Sequence, residues 1–325
     1  MSTREILYLS RSQVAEAGLA MPEVIEAVEQ AFAEKGRGRV EMPPKPGVHS
    51  RPDSFIHAMP AYIEATGAIG LKWVSGYPAN RERSLPYISG LIVLNDADTG
   101  LALAVMDCVW ITAMRTGAAT AVAARYLARE NSRRLGVLGA GVQGFSNLEA
   151  LRVLFPIQQV VVYDTDPAQV RRYRRRVAER WPEIEVVHAV EPKQAVQAMD
   201  LVVTAGPIVR PPHATIQAGW LSEGAFASMV DFDSYWSGEA LAEADKFTTD
   251  DIPQLEHYQN LGYFQTIPPV YAELGQLVTG AKPGRRSERE RTIACNLGLA
   301  IDDLAVAPLV YRRALEKQLG IPLPR

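Results

Sequence analysis

The residues with the clearest chemistry are Gly139, Ala140, Gly141, Val142, Gln143 and Gly144, a G-x-G-x-x-G run. The apolar stretch Leu135-Gly136-Val137-Leu138 precedes it, and a helical pattern from Phe145 to Leu154 follows. Strand, glycine turn and helix in that order are what a dinucleotide fingerprint needs. Gly139 makes the tight turn, Gly141 lets backbone approach a pyrophosphate, and Gly144 lets the helix pack close to the strand. The N–H groups and positive end of the helix then hold the phosphates. The spacing alone is a weak signal, and the next strand strengthens it. Val160-Val161-Val162-Tyr163 reads as a buried parallel strand ending in Asp164, where a carboxylate accepts hydrogen bonds from a ribose 2′-hydroxyl and repels a 2′-phosphate. NAD is therefore favoured, with NADP left open by Arg171 and Arg172. The alternative is that Asp164, with Thr165 and Asp166, only caps a helix beginning at Pro167.

Three further positions carry charge where charge needs a reason. Lys72 falls inside an apolar strand pattern, where an unpaired ammonium costs several kcal/mol, so it calls for an anion. Otherwise it sits at a sheet edge with its head in water. Arg115 precedes Thr116, read as the N-cap of an alanine-rich helix running to about Ala128. A guanidinium at the positive end of a helix favours a carboxylate, and the alternative is a surface ion pair. Asp231 and Asp233 follow the strand Ala225 to Val230, at the end of a parallel strand where open α/β sheets place ligands; loop capping is the alternative. The five histidines, His49, His57, His188, His213 and His257, show no paired ligand spacing, so no metal is expected.

The elements that must position these residues fall into two kinds. A chain of 325 residues is long enough for two domains, and a net charge of -3 with no basic face argues against nucleic acid. The cluster Arg171 to Arg176 reads as a solvated helix face. Cys108 and Cys295 imply no disulfide framework, and neither a leader block after Met1-Ser2-Thr3-Arg4-Glu5 nor a membrane-length apolar run is found, so a cytoplasmic protein is expected. A helix over residues 11–36, capped by Ser12 and broken midway, leads into a proline-rich extended segment, Met42 to His49. Strands follow at 55–62, 68–75, 89–94 and 101–106, the last two a hairpin about the Asn95 to Gly100 turn. That region predicts a mostly antiparallel sheet. From Arg134 strand and helix alternate: strands at 135, 160, 184–187, 201–205, 225–230 and a last one near 246–249, helices at 145, 167 and near Gln194. A long helical stretch, Glu288 to Leu319, with Gly298 as a kink, closes the chain. The predicted fold class is α/β: a Rossmann doubly wound domain plus a mostly antiparallel α+β domain.

These residues together resemble the ornithine cyclodeaminase/mu-crystallin family over nearly the whole chain. The carriers are Met59-Pro60-Ala61-Tyr62, Leu71-Lys72-Trp73-Val74, the Asn95 to Gly100 turn, Arg115-Thr116-Gly117-Ala118-Ala119, the glycine fingerprint, Glu273-Leu274-Gly275 and Asn296-Leu297-Gly298-Leu299-Ala300. The resemblance implies a substrate-binding and dimerisation domain, 1–114 completed by 300–325, a Rossmann domain, 115–299, an active site in the cleft, and a homodimer. It implies an NAD(P)-dependent oxidoreductase acting on the C–N bond of a small amino or imino acid. Lys72 and Arg115 would bind the substrate carboxylate, and Asp233 would handle the proton beside hydride transfer. Lys45, His57 and Gly298 join the substrate set. The cofactor set is Thr116, Gly139, Ala140, Gly141, Val142, Gln143, Gly144, Asp164, Thr204 and Ala205. Three departures stand out. Asp231 takes the place of a frequent glycine and rivals Asp233. Lys45 falls near a carboxylate-binding arginine and loses its fork. His57 replaces a glutamate suited to a side-chain amine, which weighs against the alternative, a redox-neutral cyclodeaminase that releases ammonia. A catalytically silent ligand-binding protein of the crystallin kind is the second alternative.

Overall fold

The computed structural model of the chain describes residues 5–51 and 53–325, so residues 1–4, read above for a leader, lie outside it. It divides into two units: residues 1–115 with 299–325, and residues 116–298. In chain order the elements begin β1 (Glu5–Leu9), α1 (Arg11–Ala17), α2 (Met21–Gly36), β2 (Val40–Glu41), β3 (Gly47–Val48), β4 (Phe55–Ile63), β5 (Ala68–Gly76), β6 (Ile88–Asn95), β7 (Ala102–Asp107) and α3 (Val109–Leu127). They continue through β8 (Arg134–Leu138), α4 (Val142–Leu154), β9 (Gln159–Tyr163), α5 (Pro167–Arg180), β10 (Glu185–His188), β11 (Leu201–Thr204), β12 (Phe226–Met229), α6 (Gly238–Ala242) and β13 (Lys246–Thr249). They end with α7 (Ile252–Asn260), β14 (Ala272–Glu273), α8 (Leu274–Val278), β15 (Thr292–Cys295), α9 (Ala300–Glu316) and β16 (Ile321–Pro324).

The first unit is built on a sheet in the order β16-β1-β7-β6-β5-β4-β2, with β3 beside β4. All neighbours are antiparallel except β1 and β7. The two-residue period of the strands sorts the side chains by face. Met59, Ala61, Val74, Ile92, Leu94, Ala104 and Met106 are buried on one side, against which α9 packs with α1 and α2 around it. On the other side Ala58, Trp73 and Leu91 stand in cross-strand register, with Trp73 46% and Leu91 41% exposed. The 95–100 turn and the β6–β7 hairpin form where the sequence places them.

The second unit is an entirely parallel sheet, β10-β9-β8-β11-β12-β15-β13-β14. Its strand order reverses between β8 and β11, the switch point at which a doubly wound sheet opens a crevice for a ligand. Its inner strands β8, β11, β12 and β15 are buried on both faces, as such a sheet requires, while the edge strand β10 is largely exposed.

Several expected elements form differently. Ser10, not Ser12, caps α1, because Gln13 lies three residues on and completes a capping box, and Gly18 in a left-handed conformation (φ +72°) separates α1 from α2. Helix α3 begins seven residues before Thr116, which is therefore interior rather than an N-cap. Its start is marked by the Asp107 carboxylate, which accepts from Val109 N at 2.8 Å. The β-branched and aromatic run Val109-Trp110-Ile111 hides that start from a propensity reading. The single helix expected over 288–319 is instead the buried strand β15, a glycine turn and α9, and β13 is not the last strand. A short fully buried apolar run such as Thr292-Ile293-Ala294-Cys295 looks the same as a helix segment by periodicity. Near Gln194 only a single 3₁₀ turn forms, Pro192–Ala195. Among the described residues no helix is long and apolar enough to cross a membrane.

Candidate active site

The glycine turn follows from local packing. Gly139, at the end of β8, has φ +106°, and a Cβ there would meet Ala205 O at 2.5 Å. A Cβ on Gly144 would meet Gly139 O at 2.2 Å, so the first turn of α4 lies against the strand end. Gly141, the N-cap of α4, has nothing within 4 Å of its Cβ position and no side chain to cap the helix. The first N–H groups of this 13-residue helix thus have no side-chain cap, and the Cβ side of Gly141 is clear, an arrangement in which a phosphate is the natural acceptor. Asp164 is fixed at the end of β9: its Oδ2 accepts from Ala140 N at 2.8 Å and its Oδ1 from Asp166 N at 2.9 Å. Asp166 takes over the capping of α5, through Ala168 N. Gly139, Ala140, Gly141, Val142, Gln143, Gly144, Asp164, Thr204 and Ala205 thus gather at the carboxyl ends of β8, β9 and β11, and Ala205 N donates to Leu138 O at 2.8 Å. Thr116 stands apart from this set in the chain, half a helix into α3 and buried.

Asp231 and Asp233 leave the end of β12 in different directions, because Phe232 between them adopts φ +62°. Asp231 is fully buried and saturated. It accepts from Thr204 Oγ1 at 2.6 Å and from Gly206 N at 2.8 Å, while burial pushes its carboxyl up to about 7 against those two donors. Asp233 Oδ2 accepts from Phe264 N at 2.8 Å, and its Oδ1 has no hydrogen-bond partner among the described residues. Burial also pushes its pKa up from the usual carboxylate value. A carboxyl group with one anchored oxygen and one open oxygen is suited to exchange a proton with a ligand; a doubly anchored one is suited to hold backbone.

In the first unit Lys72 lies in mid-strand on β5, between Met59 of β4 and Ile92 of β6, and is 1% exposed. The sheet-edge alternative is thereby removed. The anion it needs comes from the chain itself: Lys72 Nζ lies 2.6 Å from Asp303 Oδ2. Arg115 Nε lies 3.2 Å from Asp303 Oδ1, and its Nη1 3.5 Å from Asp302 Oδ2. Arg115 is seven residues into α3 and not ahead of an N-cap, so its guanidinium gains nothing from a helix N-terminus. Burial lowers the Lys72 pKa and Arg115 lowers it further, while Asp303 opposes both. Neighbouring Cys108 is pushed up to about 11 by burial, and so is neutral. Lys45 is buried in the segment between β2 and β3. His57, half-buried on β4, stacks on Phe55 at 4.3 Å and lies over Gly47, where a Cβ would meet its ring at 2.4 Å. Gly298, with φ +76°, donates its N–H to Asp250 Oδ2 at 2.8 Å in the second unit.

Sequence reasoning missed Asp302 and Asp303. Both are fully buried in the first turn of α9. The available signal was a pair of acids one helical turn after Gly298, with a buried lysine elsewhere calling for an anion; placing both acids in mid-helix concealed it.

A parallel doubly wound sheet with an open glycine turn at its switch point defines a dinucleotide-binding protein of the Rossmann class. The chain matches the ornithine cyclodeaminase/mu-crystallin family over residues 5–318, and it belongs to that family. It is 35% identical over 324 residues to the alanine dehydrogenase of Archaeoglobus fulgidus, covering 97% of each chain. Among solved structures it is similar to the Delta(1)-pyrroline-2-carboxylate reductase of Thermococcus litoralis in complex with NADH and L-proline (TM-score 0.89, 33% identity, 98% of this chain and 100% of that one). It is also similar to an archaeal alanine dehydrogenase dimer with bound NAD (TM-score 0.87, 34% identity, 98% of this chain and 99% of that one).

Proposed function

We propose that this protein is an NAD-dependent oxidoreductase acting on the C–N bond of a small amino or imino acid. The observation that carries the reading is Asp233, a buried carboxyl with an open oxygen at the end of β12, in a chain that also keeps the buried Lys72 and Arg115. Gly139 to Gly144 and Asp164 would hold the dinucleotide, since the turn is open at Gly141 and a carboxylate stands where the ribose acid belongs. When bound, NAD supplies the hydride acceptor or donor for the substrate α-carbon. Lys72 and Arg115 bind the substrate carboxylate through charge-assisted hydrogen bonds and so orient the α-carbon. Asp233 accepts a proton from the substrate amine at Oδ1 as the amino acid is oxidised, and returns it in the reverse direction; burial raises its pKa and so strengthens it as the base.

The alanine dehydrogenase and pyrroline-carboxylate reductase relatives support this substrate class. His57, where a glutamate would serve a distal ammonium, favours net oxidation or reduction over cyclodeamination. A homodimer is the assembly we assign, through the apolar outer face of the first unit's sheet around Trp73 and Leu91. Two buried, unbridged cysteines, Cys108 and Cys295, fit a cytoplasmic setting. The test is a spectrophotometric screen of amino acids, cyclic imines and 2-oxo acids with amines, using each nicotinamide cofactor. A steady change in NADH absorbance supports the reading. Ammonia release without net NADH supports a cyclodeaminase instead, and tight ligand binding without turnover a silent binding protein.

A further inference from the structure

Asp303 has no place in the reaction as described, yet it is among the most completely enclosed charges of the first unit. It does not serve the N-cap of α9: the N-cap is Leu299, whose N–H donates to Asp302 Oδ2 at 3.0 Å. The two oxygens of Asp303 face two cations drawn from different elements, Oδ2 meeting Lys72 Nζ of β5 at 2.6 Å and Oδ1 meeting Arg115 Nε of α3 at 3.2 Å. A single carboxylate therefore sets the spacing between the ammonium and the guanidinium.

The electrostatics give that bridge a second consequence. A lysine enclosed in a protein interior beside a guanidinium favours its neutral form, and an adjacent carboxylate is what restores the charge. The groups facing Lys72 are Arg115 from α3, Asp303 from α9 and Cys108 from the turn between β7 and α3. Cys108 is neutral, so Asp303 is the group that opposes both burial and Arg115. An ammonium carries three N–H donors, and Asp303 engages one face of it, so the bridge holds Lys72 without consuming it.

We propose that Asp303 is a positioning residue that keeps Lys72 protonated and aims Lys72 and Arg115 together at the substrate carboxylate. The inference rests on the reading of Lys72 and Arg115 given under the proposed function. It is tested by the pH dependence of kcat/KM for the amino or imino acid in the parent, Asp303→Asn and Asp303→Glu, with cofactor affinity by NADH fluorescence as the check on folding. Asp303→Asn is expected to move the alkaline limb down by about one pH unit or more, and to raise the substrate KM about tenfold while leaving the NADH affinity unchanged. Asp303→Glu keeps the charge and is expected to hold the limb in place while kcat/KM falls. The proposal is overturned if Asp303→Asn keeps the parent limb and KM. Should Asp303→Asn fail to bind NADH, Asp303→Glu decides: a retained limb supports the proposal and a limb displaced downward overturns it. A parent that turns over no amino or imino acid overturns the functional reading instead. In that case NMR titration of the Lys72 ammonium in lysine-labelled parent and Asp303 variants still decides, a titration point unmoved by Asp303→Asn being the contrary result.

Discussion

Lys72, Asp233 and Asp231 are each buried ionisable groups with a different purpose, and substitution separates the purposes. Lys72→Met leaves Asp303 enclosed with less compensation, and removing one partner of a buried pair costs about 3–5 kcal/mol. A fall of that size in urea-unfolding stability is expected, along with loss of turnover. Asp233→Asn keeps an acceptor for Phe264 N and removes the proton exchange, so kcat is expected to fall about 10²- to 10⁴-fold with NADH affinity unchanged. Asp231 gives a pH prediction instead. Its folded pKa of about 7 lies above the unfolded carboxylate value, so the folded state binds the extra proton. The associated stability is fully present below the unfolded pKa, near pH 4, and is lost as pH rises through about 7, on the order of 4 kcal/mol in all. Asp231→Asn should flatten that slope: the midpoint of thermal unfolding, followed from pH 4.5 to 8, falls less in the variant than in the parent. Equal slopes would mean that Asp231 is ionised throughout.

At the scale of elements, what was legible in the sequence was what local sterics dictate. The glycine turn could be read because each glycine answers to a neighbour a few residues away: Gly139 to its positive φ, Gly144 to the carbonyl of Gly139. Gly141 answers to no neighbour in the chain, which yields its own prediction. Gly141→Ala should unfold at the parent temperature yet weaken NADH binding at least about tenfold, because the new methyl stands where a phosphate must approach. Gly144→Ala, whose Cβ would strike backbone, should lower stability as well; calorimetry with NADH titration distinguishes the two. The helix starts were less legible. Asp107 opens α3 through one side-chain acceptor preceding a strand-like run, and β15 has the composition of a buried helix. The site was legible to the same extent: Lys72 signalled the need for an anion, but the partner came from a residue far along the chain, at a helix start misread as mid-helix. Charge pairing across the fold leaves no periodic trace in sequence.

At the scale of the molecule, the alternation of strand and helix from Arg134 onward and the hairpin-rich region before it distinguished the two kinds of sheet. The exposed face of the first sheet was not legible, since a strand with apolar residues on both of its faces reads like any buried strand. The expected consequence is testable. Trp73→Glu with Leu91→Glu places like charges in cross-strand register on that face. Light scattering should show a monomer where the parent shows a dimer, with the NADH-binding unit still folded; a dimeric double variant would place the assembly elsewhere.

The central claim, that the protein moves a hydride between the α-carbon of an amino acid and NAD with net redox change, is met most directly by isotope transfer. With the best substrate from the screen deuterated at the α-carbon, mass spectrometry of the accumulated cofactor should find one deuterium in each reduced nicotinamide. Ammonia formed with no accumulation of reduced cofactor, or reduced cofactor free of deuterium, would contradict the account.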